Sequence, residues 1–228
     1  MKNKLNKMTK ALLSFVLIMT CANPLTINAK NGDMNGLSDE GEAYIQSDEY
    51  KNRIEKKTEW VEAQSKINRF RSAGVLGVPH YLQEQPTWCG PACMQMVVHY
   101  VTGTHHSQAS LAGVLGTGTH GTYIDVLANK LVGYTGLTYE LGITSNGNFY
   151  NNIKADFDAN YPVIYDVNAS LLDPYYQGFT PHFVVGVGYD ANGNLHYSDP
   201  FKSSDYLRTV SQSTMIQALN GNGGYYVY

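Results

Sequence analysis

The chain has 228 residues, enough for one packed domain plus an extension, and 43% of them are hydrophobic. Its 18 Tyr and 22 Gly suit short strands and turns better than a helical bundle. The formal net charge is -3, but four lysines fall in the first 29 residues; the remainder sets 12 Lys and Arg against 19 Asp and Glu, near -7, which excludes the basic face that a nucleic-acid partner requires.

Residues 1–29 have the form of a secretory signal: a lysine-rich start, an apolar run over 11–19, and Ile27-Asn28-Ala29 as a cleavage site. The run is too short to span a bilayer, so no stable membrane span is expected. A rival reading takes Ile18-Met19-Thr20-Cys21 as a lipoprotein cleavage box; Thr20 fits its small-residue preference poorly, so it ranks second. Cleavage after Ala29 leaves Cys89 and Cys93, one helical turn apart and awkward for a disulfide.

Residues 30–42 read as a flexible lead and 46–71 as a helix with Ser47 as its N-cap. Tyr50, Ile54, Val61, Ile67 and Phe70 make only a partial apolar stripe. Residues 30–72 hold 8 Lys and Arg and 9 Asp and Glu, whereas the 156 residues after them hold 4 and 10. The shift marks 30–74 as a segment apart: a propeptide, an arm docked on the domain, or a solvated helix with no role. A linker at 72–77 and a brief strand at 78–81 follow.

The apolar spacing of Met94, Val97, Val98 and Val101 predicts a central helix over 89–102, ended by Gly103. A second helix is expected over 107–115, then a Gly/Thr loop at 116–121 that could line a cleft. Thr122 and Asp125 resemble a capping box opening a helix to about Leu131. Strands at 137–141 and 161–167 bracket a helix over 148–159. Residues 168–181 form a long aromatic loop of the kind that walls a binding cleft. The stretch 182–189 is nearly all apolar, a strand buried on both faces. Asp190-Ala191-Asn192-Gly193 turns it back into 194–198. A strand at 206–210, a helix at 213–219 and a last strand at 225–228 complete an α+β chain, a helical front followed by an antiparallel sheet.

Chemistry concentrates around Cys89. Pro91 suits a first helical turn, which puts Cys89 at the start of the helix, where free N–H groups and the positive dipole end stabilise a thiolate. Taken alone, a cysteine there is more often a plain core residue. Six residues earlier, the amide of Gln83 could fold back beside the Cys89 N–H as an oxyanion donor; Gln85 is a second amide nearby. A thiolate nucleophile needs a base, usually His. Of the seven histidines, His99, His105 and His106 lie at the wrong end of the helix, and His80, His120 and His196 have no evident partner. His182 opens the buried strand at the rim of a cleft. With Ala191-Asn192 at the centre of the turn, residue 184 pairs with 199, which makes Asp199 the diagonal neighbour of His182 on one face; a three-residue loop would separate them.

Gln83-x5-Cys89-Gly90-Pro91-Ala92, the strand from His182 to Asp190, and Tyr197-Ser198-Asp199-Pro200 resemble, in that order, the active-site pieces of the C39-like cysteine peptidases of the papain-like superfamily. The resemblance covers roughly residues 77–228. It implies a papain-like α+β fold and acyl transfer to Cys89, with His182 managing the proton, Asp199 holding the imidazole and Gln83 helping to hold the oxyanion. It implies no cofactor and no metal; a zinc site from Cys89, Cys93 and a His lacks a second metal-spaced pair. The expected partner is a peptide or protein substrate. Three functions compete: an exported peptidase, an acyl transferase or amidase with the same triad, and a non-catalytic binding module.

Overall fold

The computed structural model describes residues 36–67 and 73–228. The signal-like segment 1–29 with Cys21, residues 30–35, and the predicted end of the arm helix at 68–71 lie outside the described residues. The lead is helical sooner than expected. Helix α1 (Asp39–Tyr44) is capped by Ser38, whose Oγ accepts the Gly41 N–H at 2.9 Å. Helix α2 (Asp48–Ile67) starts where Ser47 Oγ accepts the Tyr50 N–H at 3.0 Å.

The expected strand at 78–81 is absent; pairing occurs earlier, at β1 (Gly74–Val75), inside the supposed linker. The sheet comprises β2 (Leu141–Ile143), β3 (Val163–Asn168), β4 (Pro181–Tyr189), β5 (Leu195–Ser198), β6 (Leu207–Val210) and β7 (Tyr225–Val227). Its order is β2-β7-β3-β4-β5-β6, with β1 on β4, and every pairing is antiparallel. The last strand, β7, slots between β2 and β3, so the end of the described chain closes the sheet rather than extending it.

Helices cover both faces of the sheet. On one lie α3 (Cys89–Thr102), α4 (Gln108–Leu115) and α5 (Ile124–Thr135), packed on Ile164, Phe183, Val185, Val187 and Val227. On the other lie α6 (Phe149–Asp158) and α7 (Gln212–Asn220), packed on Val163, Tyr165, Val167, Val184 and Tyr226. The chain is α+β, as expected, with a second helical layer behind the sheet. Double coverage is why β4 reads as an unbroken apolar run: every residue from His182 to Tyr189 is buried.

Two local expectations give way to tertiary contacts. Thr122 does not cap α5; it is fully buried, with its Oγ1 2.7 Å from Thr117 Oγ1, and the capping position falls to Tyr123, which makes no side-chain cap. Asp125 instead accepts from the Ser38 N–H at 2.9 Å and the Ser38 hydroxyl at 2.6 Å, tying the arm to α5.

The β4–β5 hairpin departs from the expected turn and reaches the expected register. Asp190 N–H donates to the Asn194 carbonyl at 2.9 Å, leaving the three-residue loop Ala191-Asn192-Gly193, with Gly193 at φ 78° in the left-handed region. Alone, that loop would shift Asp199 to the opposite face from His182. A bulge at Val187 undoes the shift: Tyr189 pairs with Leu195 and Gly188 with His196, but Gly186 pairs with Tyr197 and Val185 with Ser198. One further step places Asp199 opposite Val184. An extra residue on one strand restores the parity that the loop had broken.

The charged arm is anchored by a buried ion pair. Lys57 is 3% exposed, and its Nζ donates to Asp156 Oδ1 at 2.9 Å and to the Thr138 carbonyl at 3.0 Å. The ammonium lies 4.3 Å from the Trp60 ring centroid and 5.1 Å from that of Tyr228. Burial raises the Asp156 carboxyl to about 6 against the pull of Lys57. Tyr50 and Val61 are also buried, and Tyr50 donates its hydroxyl to the Leu141 carbonyl at 2.9 Å. Breaking a buried pair from one side strands the other charge, so Lys57→Met is expected to cost about 3–5 kcal/mol in chemical denaturation. Adding Asp156→Leu should recover most of that loss, because an apolar pair needs no compensation there. Deleting the arm to residue 74 is likewise expected to lower the melting temperature by more than any exposed-surface change.

Candidate active site

Cys89 begins α3, and no side chain caps that helix. The next residue is glycine for a steric reason. A Cβ on Gly90 would lie 2.5 Å from Thr122 Oγ1 and 2.7 Å from its Cβ, so only a glycine lets the start of α3 press against the Thr122 side chain. Gly121, beside that contact, lines the cleft together with Cys89, as expected of the Gly/Thr loop.

The cleft has a volume of about 360 Å³. Gln83, Pro86 and Thr87 line it, as do Tyr175, Tyr176 and Gln177 from the aromatic loop, together with Cys89 and His182. None of its lining residues comes from α1 or α2.

Cys89, His182 and Asp199 meet in one buried chain. His182 Nε2 is 2.8 Å from Asp199 Oδ1, and the ring's hydrogen bond to the Cys89 thiol completes the line. All three residues are at most 5% exposed. Burial alone would raise the Cys89 thiol; the His182 hydrogen bond and charge, with the N–H groups of Phe183 and Gly90, outweigh it and hold the thiol below its ordinary value. Burial alone would lower His182; the bonds to Asp199 and Cys89 and their charges raise it to about 10. Burial opposes ionisation of Asp199 as well, yet bonds from His182, Tyr176 and the Phe201 N–H keep its carboxyl below the usual range. The three shifts favour one state: thiolate, imidazolium and carboxylate.

Asp199 also ends β5 in a turn, its carbonyl accepting the Lys202 N–H at 3.2 Å and its Oδ1 the Phe201 N–H at 2.9 Å. Asp199 thus both bonds His182 and closes this turn, and the turn stiffens the carboxylate. Cys93, one turn along α3, is fully buried, and burial first, then the Cys89 and Asp199 charges, pushes its thiol well up.

Gln83 lines the cleft but is otherwise engaged. Its Nε2 donates to the Gln85 and Pro86 carbonyls, both at 3.0 Å, while its Oε1 is buried without a hydrogen-bond partner among the described residues. Its backbone N–H donates to the Pro200 carbonyl at 2.8 Å, which links this loop to the Asp199 turn. Gln85 is exposed. Two buried glutamines missed by sequence reasoning support the loop. Gln108 Nε2 donates to the Leu82 carbonyl at 2.7 Å and to Gln95 Oε1 at 3.0 Å, and Gln108 Oε1 accepts the Glu84 N–H at 2.9 Å. Gln95 stands among apolar neighbours on α3, and that polar interruption was the available signal. Tyr176 was read only as part of an aromatic wall; its hydroxyl donates to Asp199 Oδ2 at 2.7 Å. Of the other histidines, His80 contacts Ser198 Oγ at 3.0 Å and the Lys202 carbonyl at 2.8 Å, and stacks on Tyr206. Among the described residues no three His, Cys, Asp or Glu side chains are grouped to hold a metal ion.

Residues 75–226 match the model of the Peptidase_C39 like family, and the chain belongs to that family. No curated protein matches the chain. Among solved structures, the chain is similar to a Bacillus anthracis protein described as a C39-like peptidase, at 18% identity and TM-score 0.53, over 67% of this chain and 95% of that one. That likeness shows the fold. Also found are a double glycine motif protease from an AMS/PCAT transporter in complex with its leader peptide (16% identity, TM-score 0.47, 69% and 93% covered) and the bromelain protease of Ananas comosus (14%, 0.47, 66% and 93%). Family and fold together support a peptidase function. Among the described residues no helix is long and apolar enough to cross a membrane.

The opposed thiol shifts make a direct test. Iodoacetamide at mildly acidic pH is expected to label Cys89 well before Cys93, read by peptide mass mapping. Labelling of Cys93 first would contradict the electrostatics of the site.

Proposed function

We propose that the protein is an exported, thiol-dependent peptidase in which Cys89 is the nucleophile, His182 the proton carrier, Asp199 the group that orients it, and Gln83 an oxyanion donor. The observation that supports this most is the buried hydrogen-bonded line from the Cys89 thiol through His182 to Asp199 Oδ1, with Cys89 and His182 opening on a cleft. The export half rests on residues 1–29, with a signal peptide preferred over lipoprotein attachment at Cys21. The described part of the arm, packed through Lys57 and Tyr50, favours residues 30–74 remaining docked on the enzyme.

The reaction follows from the charge states. The Cys89 thiolate attacks the substrate carbonyl carbon, and the carbonyl oxygen gathers negative charge beside the N–H at the start of α3. The His182 imidazolium gives its proton to the departing amine, which leaves an acyl-enzyme. The neutral imidazole then takes a proton from water as that water attacks the thioester; collapse expels the Cys89 thiolate and the acid product, and the thiolate–imidazolium pair is restored. Asp199 stays ionised and keeps the imidazole aligned. Gln83 can serve the oxyanion only by sharing or releasing a hydrogen now on the Gln85 or Pro86 carbonyl.

Cys89→Ala and His182→Ala should each reduce cleavage of a mixed peptide library to background with the fold intact, because these residues act as a unit. Asp199→Asn should be milder, since an amide oxygen still accepts the imidazole N–H. Gln83→Ala should lower kcat about 100-fold or more. A silent Gln83→Ala beside a damaging Gln85→Ala would remove Gln83 from the reaction. The pH profile of kcat/KM should rise as Cys89 ionises, at a pH lower than an ordinary thiol requires, and fall near pH 10 as His182 loses its proton. A wild-type protein that alkylates normally but transfers acyl groups to amines, cleaving no peptide, would favour the transferase instead.

A further inference from the structure

We propose that Tyr176 is a positioning residue for the reaction, its hydroxyl fixing the second oxygen of the Asp199 carboxylate while its ring forms part of the cleft wall that a substrate meets. The proposal rests on the reading of Cys89, His182 and Asp199 given above.

A carboxylate orients an imidazole only if it cannot itself rotate. Asp199 Oδ1 is held by His182 Nε2 at 2.8 Å and the Phe201 N–H at 2.9 Å. Oδ2 accepts the Tyr176 hydroxyl at 2.7 Å. Without that hydroxyl, Oδ2 loses a charge-assisted bond inside a buried site, and only the two bonds on Oδ1 still resist rotation of the carboxylate. Burial, with the charge of Asp199, pushes the Tyr176 phenol well above its ordinary range, so it remains a donor at any working pH.

Tyr176 is itself held in place. Its N–H donates to the Asp173 carbonyl at 3.1 Å, and the Asp173 carboxylate takes the Tyr175 N–H at 2.9 Å. The same carboxylate pairs with Lys202 at 3.2 Å, and the Lys202 ammonium lies 3.4 Å from the Tyr175 ring centroid. Lys202 belongs to the turn that carries Asp199. Loop and turn are therefore joined by two rungs, Asp173 to Lys202 and Tyr176 to Asp199. The Tyr176 ring centroid is 5.5 Å from that of His182. The Tyr176 ring thus links the cleft wall to the carboxylate that orients the base.

Donation to the charged carboxylate favours ionisation, so losing it raises the Asp199 pKa. As pH falls in Tyr176→Phe, Asp199 is protonated sooner, the imidazolium loses its counter-charge, and Cys89 regains its proton at higher pH. The test measures Cys89 alkylation by iodoacetamide across pH, and kcat and KM on a peptide that the wild type cleaves, using the full chain. For Tyr176→Phe the acid limb of the alkylation profile should move up by about one pH unit, and kcat should fall about tenfold with KM little changed. Tyr176→Ala, which also removes the wall, should raise KM in addition. An unchanged acid limb and kcat in Tyr176→Phe overturns the proposal, as does a rise in KM alone. Should the variant fail to fold, the Asp199 carboxyl carbon of the wild type can be followed by 13C NMR; titration at or above the usual carboxylate range overturns it equally. Alkylation reads the thiolate without any substrate, so the expected shift in a protein that cleaves nothing would refute the peptidase reading and leave the positioning role standing.

Discussion

Burying a thiolate, an imidazolium and a carboxylate in one place is the constraint that the rest of this structure serves. Each charge alone would be neutralised by desolvation, and each is stabilised by the other two. Cys89 gains His182 and two backbone N–H groups; His182 gains Cys89 and Asp199; Asp199 gains His182, the Phe201 N–H and the Tyr176 hydroxyl. The cost of burial is thus offset only if three separate elements meet to within a hydrogen bond. Helix α3 brings the thiol, β4 the imidazole and the turn after β5 the carboxylate. Gly90 permits the first placement through its close approach to Thr122. The Val187 bulge permits the other two by correcting the register between β4 and β5.

The meeting of Cys89, His182 and Asp199 was legible because each stands in a segment with a strong local signal. Cys89 precedes a proline and an apolar stripe at helical spacing, and His182 opens a run of eight buried residues. Asp199 follows a turn at a countable distance. The count itself was right by cancellation: the loop between the strands has three residues rather than two, and the bulge absorbs the difference. The available signal for the bulge was the pair Gly186 and Gly188 on either side of Val187, since glycine inside a strand often marks a bulge.

What could not be read depended on partners distant in the chain. Ser38 and Asp125 find each other across 87 positions, which turned an expected flexible lead into a helix and an expected cap into a tether. Thr122 looked like a cap because caps are local motifs, yet its hydroxyl contacts Thr117 and its side chain closes on Gly90. Lys57 sits in the most heavily charged part of the sequence, where solvation is the natural expectation. Its burial depends on Asp156, the Thr138 carbonyl and the Tyr228 ring from later elements, with only the Trp60 ring supplied by its own helix. The weak apolar stripe of α2 follows from the same fact, since part of its inward face is a paired lysine rather than an aliphatic residue.

Two buried aspartates near the thiol show how one site tolerates carboxyl groups of opposite character. Asp199 is surrounded by donors and is driven toward its charged form. Asp166, on β3 opposite Phe183, is fully buried and accepts the Asn222 amide at 2.7 Å and the Gly36 N–H at 3.1 Å. Burial, reinforced by the negative charge on Cys89, outweighs those two bonds and drives Asp166 well up, toward its neutral form. A second full negative charge there would repel the thiolate and weaken the stabilisation that His182 provides. The environments push the two carboxyls in opposite directions: Asp199 toward its charged form behind the imidazole, and Asp166 toward its neutral form, where a charge would act on the sulfur. Because Asp166 also holds the Gly36 N–H, the first described residue of the arm is bonded to the second of these carboxyls.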